Sequence, residues 1–297
     1  MIPFLVAAAA FAARSFFMSS ELLPAHSSST RVTKLTLTLM LLTLGCTGCS
    51  SLPSGRNWGE AATVTPGWAR VGSAVGEAAR DPWVWAPLIG AAVFQIDDWD
   101  RRTSDWARER TPIFGSQREA EEWSDDLKDA SAIVHYASIA LMPSGDTFKE
   151  AAWNKAKGAL VQVAAVSLTA NLTSQSKDWF DRTRPNGAAK ESFPSGHTSS
   201  SAVHTRLTSR NVHALGLSST TTRALDVGLY ALTIGTSWSR IEAGWHYPSD
   251  TLVGMALGNF IASFINDAFL GTQGTHAQIG LSATDGGAMF VFRSAIR

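Results

Sequence analysis

From residue 124 onward the apolar positions recur at intervals of three and four. Leu127, Ala130, Ile133, Val134, Ala137 and Leu141 fall on one face of a helix that Ser124 can cap and that Pro143-Ser144-Gly145 stops. Thr147 can open the next helix, in which Ala152, Ala159, Val163, Val166 and Leu172 keep the same period and no proline intervenes before Pro185. Three further helices are predicted from about Gly196 to Val212, Thr220 to Ser239 and Ser249 to Phe269. No alternating run bounded by turns competes with them before residue 276, so the fold class is all-α, a helical bundle. Beyond it, Ala277 to Ser282 and Ala288 to Ser294 flank Asp285-Gly286-Gly287, the signature of a short β-hairpin tail.

The chain ahead of the bundle is patterned differently. Leu35 to Leu44 is apolar but too short to span a bilayer; Arg31 and Lys34 precede it and small residues follow it, which describes an export signal. The Gly45-Cys46 and Gly48-Cys49 junctions resemble those of bacterial lipoprotein signals, which implies lipidation at Cys46 or Cys49. Met1 to Phe17 is a second apolar stretch, and Met18 is an alternative start. Ser, Pro and Gly at linker frequency make the next segment a tether. The expected division is 1–49 signal region, 50–80 linker, 81–123 N-terminal helical region, 124–272 core and 273–297 tail. Trp83, Trp85 and Trp99 flank an apolar run that suits a buried or interfacial helix. Asp226 interrupts Ala224 to Trp238, and Asn259, Asn266 and Asp267 interrupt Thr251 to Phe269. Neither reaches about 20 clean apolar residues, which favours a water-soluble bundle tethered to a membrane from outside.

Lys plus Arg and Asp plus Glu balance at 25 each, so no net field draws the molecule to nucleic acid, and any anion site must be local. Both cysteines lie in the signal region, which excludes a disulfide or thiolate metal site downstream.

Three clusters carry candidate chemistry. In Lys177-Asp-Trp-Phe-Asp-Arg-Thr-Arg184-Pro185 a seven-residue spacing on a helix would project Lys177 and Arg184 together, with Pro185 ending the helix. In Pro194-Ser195-Gly196-His197 a helix beginning at Gly196 would present unpartnered backbone amides to an anion. Ser195 adds a hydroxyl, Gly196 permits close approach, and His197 can give a proton to whatever leaves. In the third, Ser239 to Asp250, Arg240 supplies a phosphate-matched fork, and Asp250 can orient His246 so that its other ring nitrogen attacks. The same histidine and carboxylate could hold a metal, but no cluster of carboxylates accompanies them, so a metal-free reaction through phosphohistidine is the expectation. Glu242, Trp245, Tyr247 and Trp179 lie beside these positions and read as packing; His135, His204 and His213 read as surface or bundle residues.

Together the clusters resemble the three-part signature K-x6-R-P, P-S-G-H, S-R-x5-H-x3-D of the type 2 phosphatidic acid phosphatase (PAP2) superfamily, which also includes class A acid phosphatases and vanadium haloperoxidases. Carried over residue by residue, the resemblance implies that Lys177, Arg184, Ser195, Gly196 and Arg240 bind phosphate. It makes His246 the nucleophile, Asp250 its orienting partner and His197 the general acid. It further implies a metal-independent phosphatase without cofactor, and with the export signal and tether it points to phosphomonoester or pyrophosphate groups of membrane lipids at the periplasmic side. The alternative is a broad-specificity acid phosphatase on small phosphomonoesters; haloperoxidase chemistry and a non-catalytic scaffold are the remaining readings.

Overall fold

The computed structural model describes residues 51–271 and the backbone of 277–284 and 287–294. The signal region, with Cys46 and Cys49, lies outside the described residues. Eight α-helices follow among them: α1 (Trp68–Arg80), α2 (Pro82–Val93), α3 (Trp99–Arg110), α4 (Gln117–Leu141), α5 (Phe148–Phe180), α6 (Gly196–Ala214), α7 (Ser219–Glu242) and α8 (Pro248–Ile265). A 3-10 turn, Ile96–Asp98, separates α2 from α3, and a π turn, Asn266–Leu270, extends α8. The tail forms an antiparallel hairpin of β1 (Ala277–Thr284) and β2 (Gly287–Ser294), with Leu281 opposite Phe290. The all-α bundle with a hairpin tail is as the sequence pattern predicts.

Hydroxyl caps set most of the helix starts. Thr147, Ser195 and Ser218 accept from the backbone N–H three residues on, each satisfying one of the unpaired amides of a first turn. The first long helix departs from expectation: Ser116, not Ser124, caps it, bonding the Glu119 N–H at 3.1 Å while its hydroxyl meets the Glu119 carboxylate. The extra turns carry charged residues that face outward, so the apolar period begins two turns late. Ser124 instead lies buried within α4, donating to the Glu121 carbonyl.

The central helix is α6, packed against α4, α5, α7 and α8. It is unusually polar for that position, and nearly every residue from Thr198 to Val212 is buried. Small side chains make this workable. A Cβ at Gly254 would stand 2.6 Å from the Ser195 carbonyl oxygen and one at Gly258 2.4 Å from that of Ser199, so α8 lies against α6 at a distance that only glycine allows. The hydroxyls and charges of α6 are paired in turn: Ser201 with Ser131, Thr205 with Thr233, Arg206 with Asp81, and Arg210 with Asp267. Below them Ala165, Val203, Leu207, Ile261, Ala262 and Ile265 form an apolar core.

The predicted linker is folded over much of its length. Leu52 and Trp58 join Ile139, Met142 and Leu270 in a second core cluster. The Trp58 N–H bonds the Pro143 carbonyl, and Gly158 of α5 leaves the space its indole fills, since a Cβ there would come within 2.4 Å of the ring. Residues 68–80 are helical, and Arg70 bonds the Asp267 carbonyl. Pro248–Leu270 is long and apolar enough to cross a membrane by length and composition, contrary to the expectation that its polar residues break it; most of its apolar window is buried within the bundle. Its asparagines and aspartate face partners inside, as where Asn259 donates to the Trp83 carbonyl.

Candidate active site

Six segments deliver the predicted residues to one end of the bundle. Lys177 sits in the last turn of α5, and Ser195, Gly196 and His197 open α6. Arg240 closes α7, His246 occupies the turn that follows, and Asp250 lies in the first turn of α8. Arg184 arrives differently from the prediction. The helix ends at Phe180 with Asp181 in the left-handed region (φ 44), so Arg184 comes from a loop and shares no helix face with Lys177. That loop is closed on itself by Ser192 N–H to the Arg182 carbonyl and Arg184 N–H to the Ala189 carbonyl.

The three cations nevertheless meet. A Cβ on Gly196 would stand 3.9 Å from Lys177 Nζ, placing the ammonium over the open N-terminus of α6. The Arg184 and Arg240 guanidiniums both lie over the Trp245 ring, 4.6 and 5.0 Å from its centroid. The Nε atoms of both arginines are buried without a partner among the described residues. Burial and the charges of Arg184 and Arg240 lower the Lys177 ammonium; burial lowers Arg240 further, to about 10. Ser195 is buried, and its oxygen accepts from the Thr198 hydroxyl at 3.1 Å, so it acts as a helix cap. Crowded, half-desolvated cations with spare donors are an arrangement that could hold a tetrahedral anion.

His246 is buried beside this cradle. Its Nδ1 lies 2.6 Å from the Ser192 carbonyl oxygen, an acceptor only, so Nδ1 carries the hydrogen and Nε2 keeps a free lone pair. Burial, then Arg240, and further on Lys177 and Arg184, hold the ring neutral by driving its pKa well down. The expected bond from Asp250 is absent: its Oδ2 is 4.0 Å from His246 Nδ1. The carboxylate is drawn instead to Arg182 at 2.5 Å, the Ser192 hydroxyl at 2.6 Å and the Tyr247 N–H at 2.8 Å. Asp250 thus orients His246 one step removed, by fixing Ser192, whose carbonyl does the orienting. Burial pushes Asp250 up, to about 6, against Arg182, Ser192 and Tyr247, which favour its charged form. At the other side of the site, His197 Nε2 bonds Asp125 Oδ1 at 2.7 Å.

Arg182 also grips Asp100 at 2.7 Å, and Asp100 caps α8 by accepting from the Ser249 N–H and hydroxyl. Ser192, Arg182, Asp100 and Asp125 are the residues that sequence reasoning missed. Arg182 stands inside the first cluster and was open to notice; Asp100 and Asp125 lie in charged runs with no spacing to single them out. Glu242 is packing, as expected: buried, it accepts from the N–H groups of Ile113 and Phe114 and from the Trp238 indole. Trp245, by contrast, stacks under two site arginines and is part of the site's frame. Beside Lys177 and Gly196 a cavity of about 210 Å³ is lined by Thr173, Ser199 and Val203. A second, of about 530 Å³, is lined by Leu88, Phe180, Arg182, Phe193, Ser249 and Val253. Among the described residues, no three His, Cys, Asp or Glu side chains are grouped to hold a metal ion.

Fold and site together define an all-α protein with a basic pocket, flanked by histidines, for an oxyanion. Residues 158–270, which hold all three clusters, match the model of the PAP2 superfamily. The chain is also similar to a crystal structure described as the first transmembrane PAP2 type phosphatidylglycerolphosphate phosphatase, from Bacillus subtilis, at 20% identity and a TM-score of 0.46, covering 62% of this chain and 92% of that one. No curated protein matches the chain.

Proposed function

We propose that the protein is a phosphatase that hydrolyses phosphomonoester or pyrophosphate groups of membrane lipids through a phosphohistidine. The observation that carries this reading is the set of buried cations with spare donors at the α6 N-terminus, beside a neutral His246 whose Nε2 is free. Lys177, Arg184, Arg240 and the first amides of α6 hold the phosphoryl oxygens, where charge collects in the transition state. His246 Nε2 attacks phosphorus, and His197 protonates the departing oxygen; water then releases phosphate, with His197 as base. The apolar side chains of Val166, Ala170 and Val203, which line the cavity beside Lys177 and Gly196, favour a substrate with a hydrocarbon part. Export and tethering through Cys46 or Cys49 would place that substrate in the adjoining bilayer.

The test is a substrate panel on the purified full chain: p-nitrophenyl phosphate against phosphatidate, a prenyl diphosphate and lipid A in micelles. Turnover of the lipids, orthovanadate inhibition and loss of at least about 10³-fold in His246→Ala are expected. Turnover of p-nitrophenyl phosphate with none of the lipids would favour a small-molecule acid phosphatase, and His246→Ala at full activity would overturn the phosphohistidine.

A further inference from the structure

A carboxylate from outside the 158–270 stretch reaches His197 directly. Asp125 projects from α4, and its Oδ1 lies 2.7 Å from His197 Nε2. Its side chain is 54% exposed and that of His197 28%, so the histidine is the more buried member of the pair. His197 Nδ1 has no hydrogen-bond partner among the described residues. Lys128, one turn further along α4, also reaches Asp125, at 3.5 Å.

We propose that Asp125 positions His197 as the general acid of the site: the carboxylate holds Nε2–H, and Nδ1–H is the proton delivered to the departing oxygen. The inference rests on the phosphatase reading above. An imidazolium has two N–H groups, so Asp125 can hold one without consuming the other. The bond also eases an electrostatic difficulty, although the His197 pKa still lies below its usual value. A general acid must enter protonated, yet burial, Arg240 and Lys128 all drive the proton off His197, in a pocket that also holds Lys177 and Arg184. Glu121 on α4 lies nearer Arg240 than His197 in its effect. Asp125 is the carboxylate that opposes them at the ring itself, first through the hydrogen bond and then through its charge.

The step balances. As the His246 Nε2–P bond forms, the P–O ester bond breaks with its electron pair on oxygen, the Nδ1 proton of His197 moves to that oxygen, and the alcohol leaves. His197 is then neutral, with Nε2–H still on Asp125. Its free Nδ1 takes a proton from the water that attacks phosphorus, the N–P electrons return to His246, and inorganic phosphate is released.

The experiment compares Asp125→Asn with wild type on two leaving groups across pH. p-Nitrophenolate departs without a proton, whereas the alkoxide of an alkyl phosphate such as hexyl phosphate does not. Asp125→Asn should lose about 100-fold in kcat/KM on the alkyl ester, at the lower end of what a general acid supplies, and only a few-fold on p-nitrophenyl phosphate. On the alkyl ester the fall in activity at rising pH should move to lower pH, because the imidazolium loses its counter-charge; Asp125→Glu should restore part of both effects. Equal losses on the two substrates with an unmoved pH limb, or no loss on either, would overturn the role of Asp125. A wild type inactive on both esters and on the lipid panel as well would overturn the phosphatase reading itself.

Discussion

At the scale of single residues, the site depends on contacts one step behind its central histidine. His246 is oriented by a backbone carbonyl, which no substitution removes, so the sensitive points lie one contact behind it. Arg182 neutralises two buried carboxylates at once, Asp250 and Asp100, and through them fixes Ser192 and the first turn of α8. Arg182→Ala leaves both carboxylates buried and unpaired, which should cost about 3–5 kcal/mol of stability. Activity should fall by about 100-fold in kcat, the scale of a 1 Å misplacement, with KM little changed because the cations of the cradle are untouched. A variant folded by circular dichroism but with KM raised and kcat intact would show that Arg182 binds substrate instead. The residues of the proposed cradle were legible in the sequence, because holding a phosphoryl group would need particular side-chain types near a helix start. Their supports were not: Asp100 and Asp125 are distant in sequence, and only the packing of α3 and α4 brings them in.

At the scale of elements, the polarity of α6 is resolved by one connected network, which spacing could not reveal. The Trp58 indole N–H donates to Asn211 Oδ1, so the Asn211 amide nitrogen faces Gln162 Oε1 and the Ser138 hydroxyl. Gln162 Oε1 then accepts from His135 Nε2–H, leaving His135 Nδ1 to accept from His204 Nδ1–H at 2.9 Å. Both histidines, read from sequence as surface or bundle residues, are buried and neutral, with no room for another proton. Burial drives His204 well below its usual value and His135 to about 4. An unfolded chain takes up that proton near pH 6.5 and the folded one only near 4. Stability contributed by His135 is therefore complete above about 6.5 and falls by about 3 kcal/mol as pH drops through that window, at ~1.4 kcal/mol per unit. Asp250, raised by burial, works in the opposite sense over part of the range. Denaturant unfolding of wild type and His135→Gln at several pH values isolates the histidine: the variant should show a shallower loss between pH 6.5 and 4. Parallel curves for the two proteins would refute the assignment.

At the scale of the whole molecule, the bundle extends beyond the stretch that carries the signature. Residues 51–80 have the composition of a tether, yet Trp58 is wholly buried, its ring against Gly158 and its N–H starting the network that reaches His135. Composition misleads here because the loop's Ser, Pro and Gly serve the turns around one large anchor; Gly59, at φ 81, takes a conformation and a closeness to the Asn154 carbonyl that another residue could not. The anchor joins the N-terminal segment to the π turn after α8 through Leu270, and so to the helix that carries Asp250. Trp58→Ala should therefore destabilise the protein as a core truncation does, by about 3–5 kcal/mol, and remove one of the two donors to Asn211 Oδ1, the Gln162 amide remaining. Trp58→Phe keeps most of the volume but not the N–H, and should recover most of that loss. Equilibrium unfolding of both variants measures this directly. A Trp58→Ala protein as stable as wild type would mean that the segment is a tether after all and that the bundle holds its shape without it.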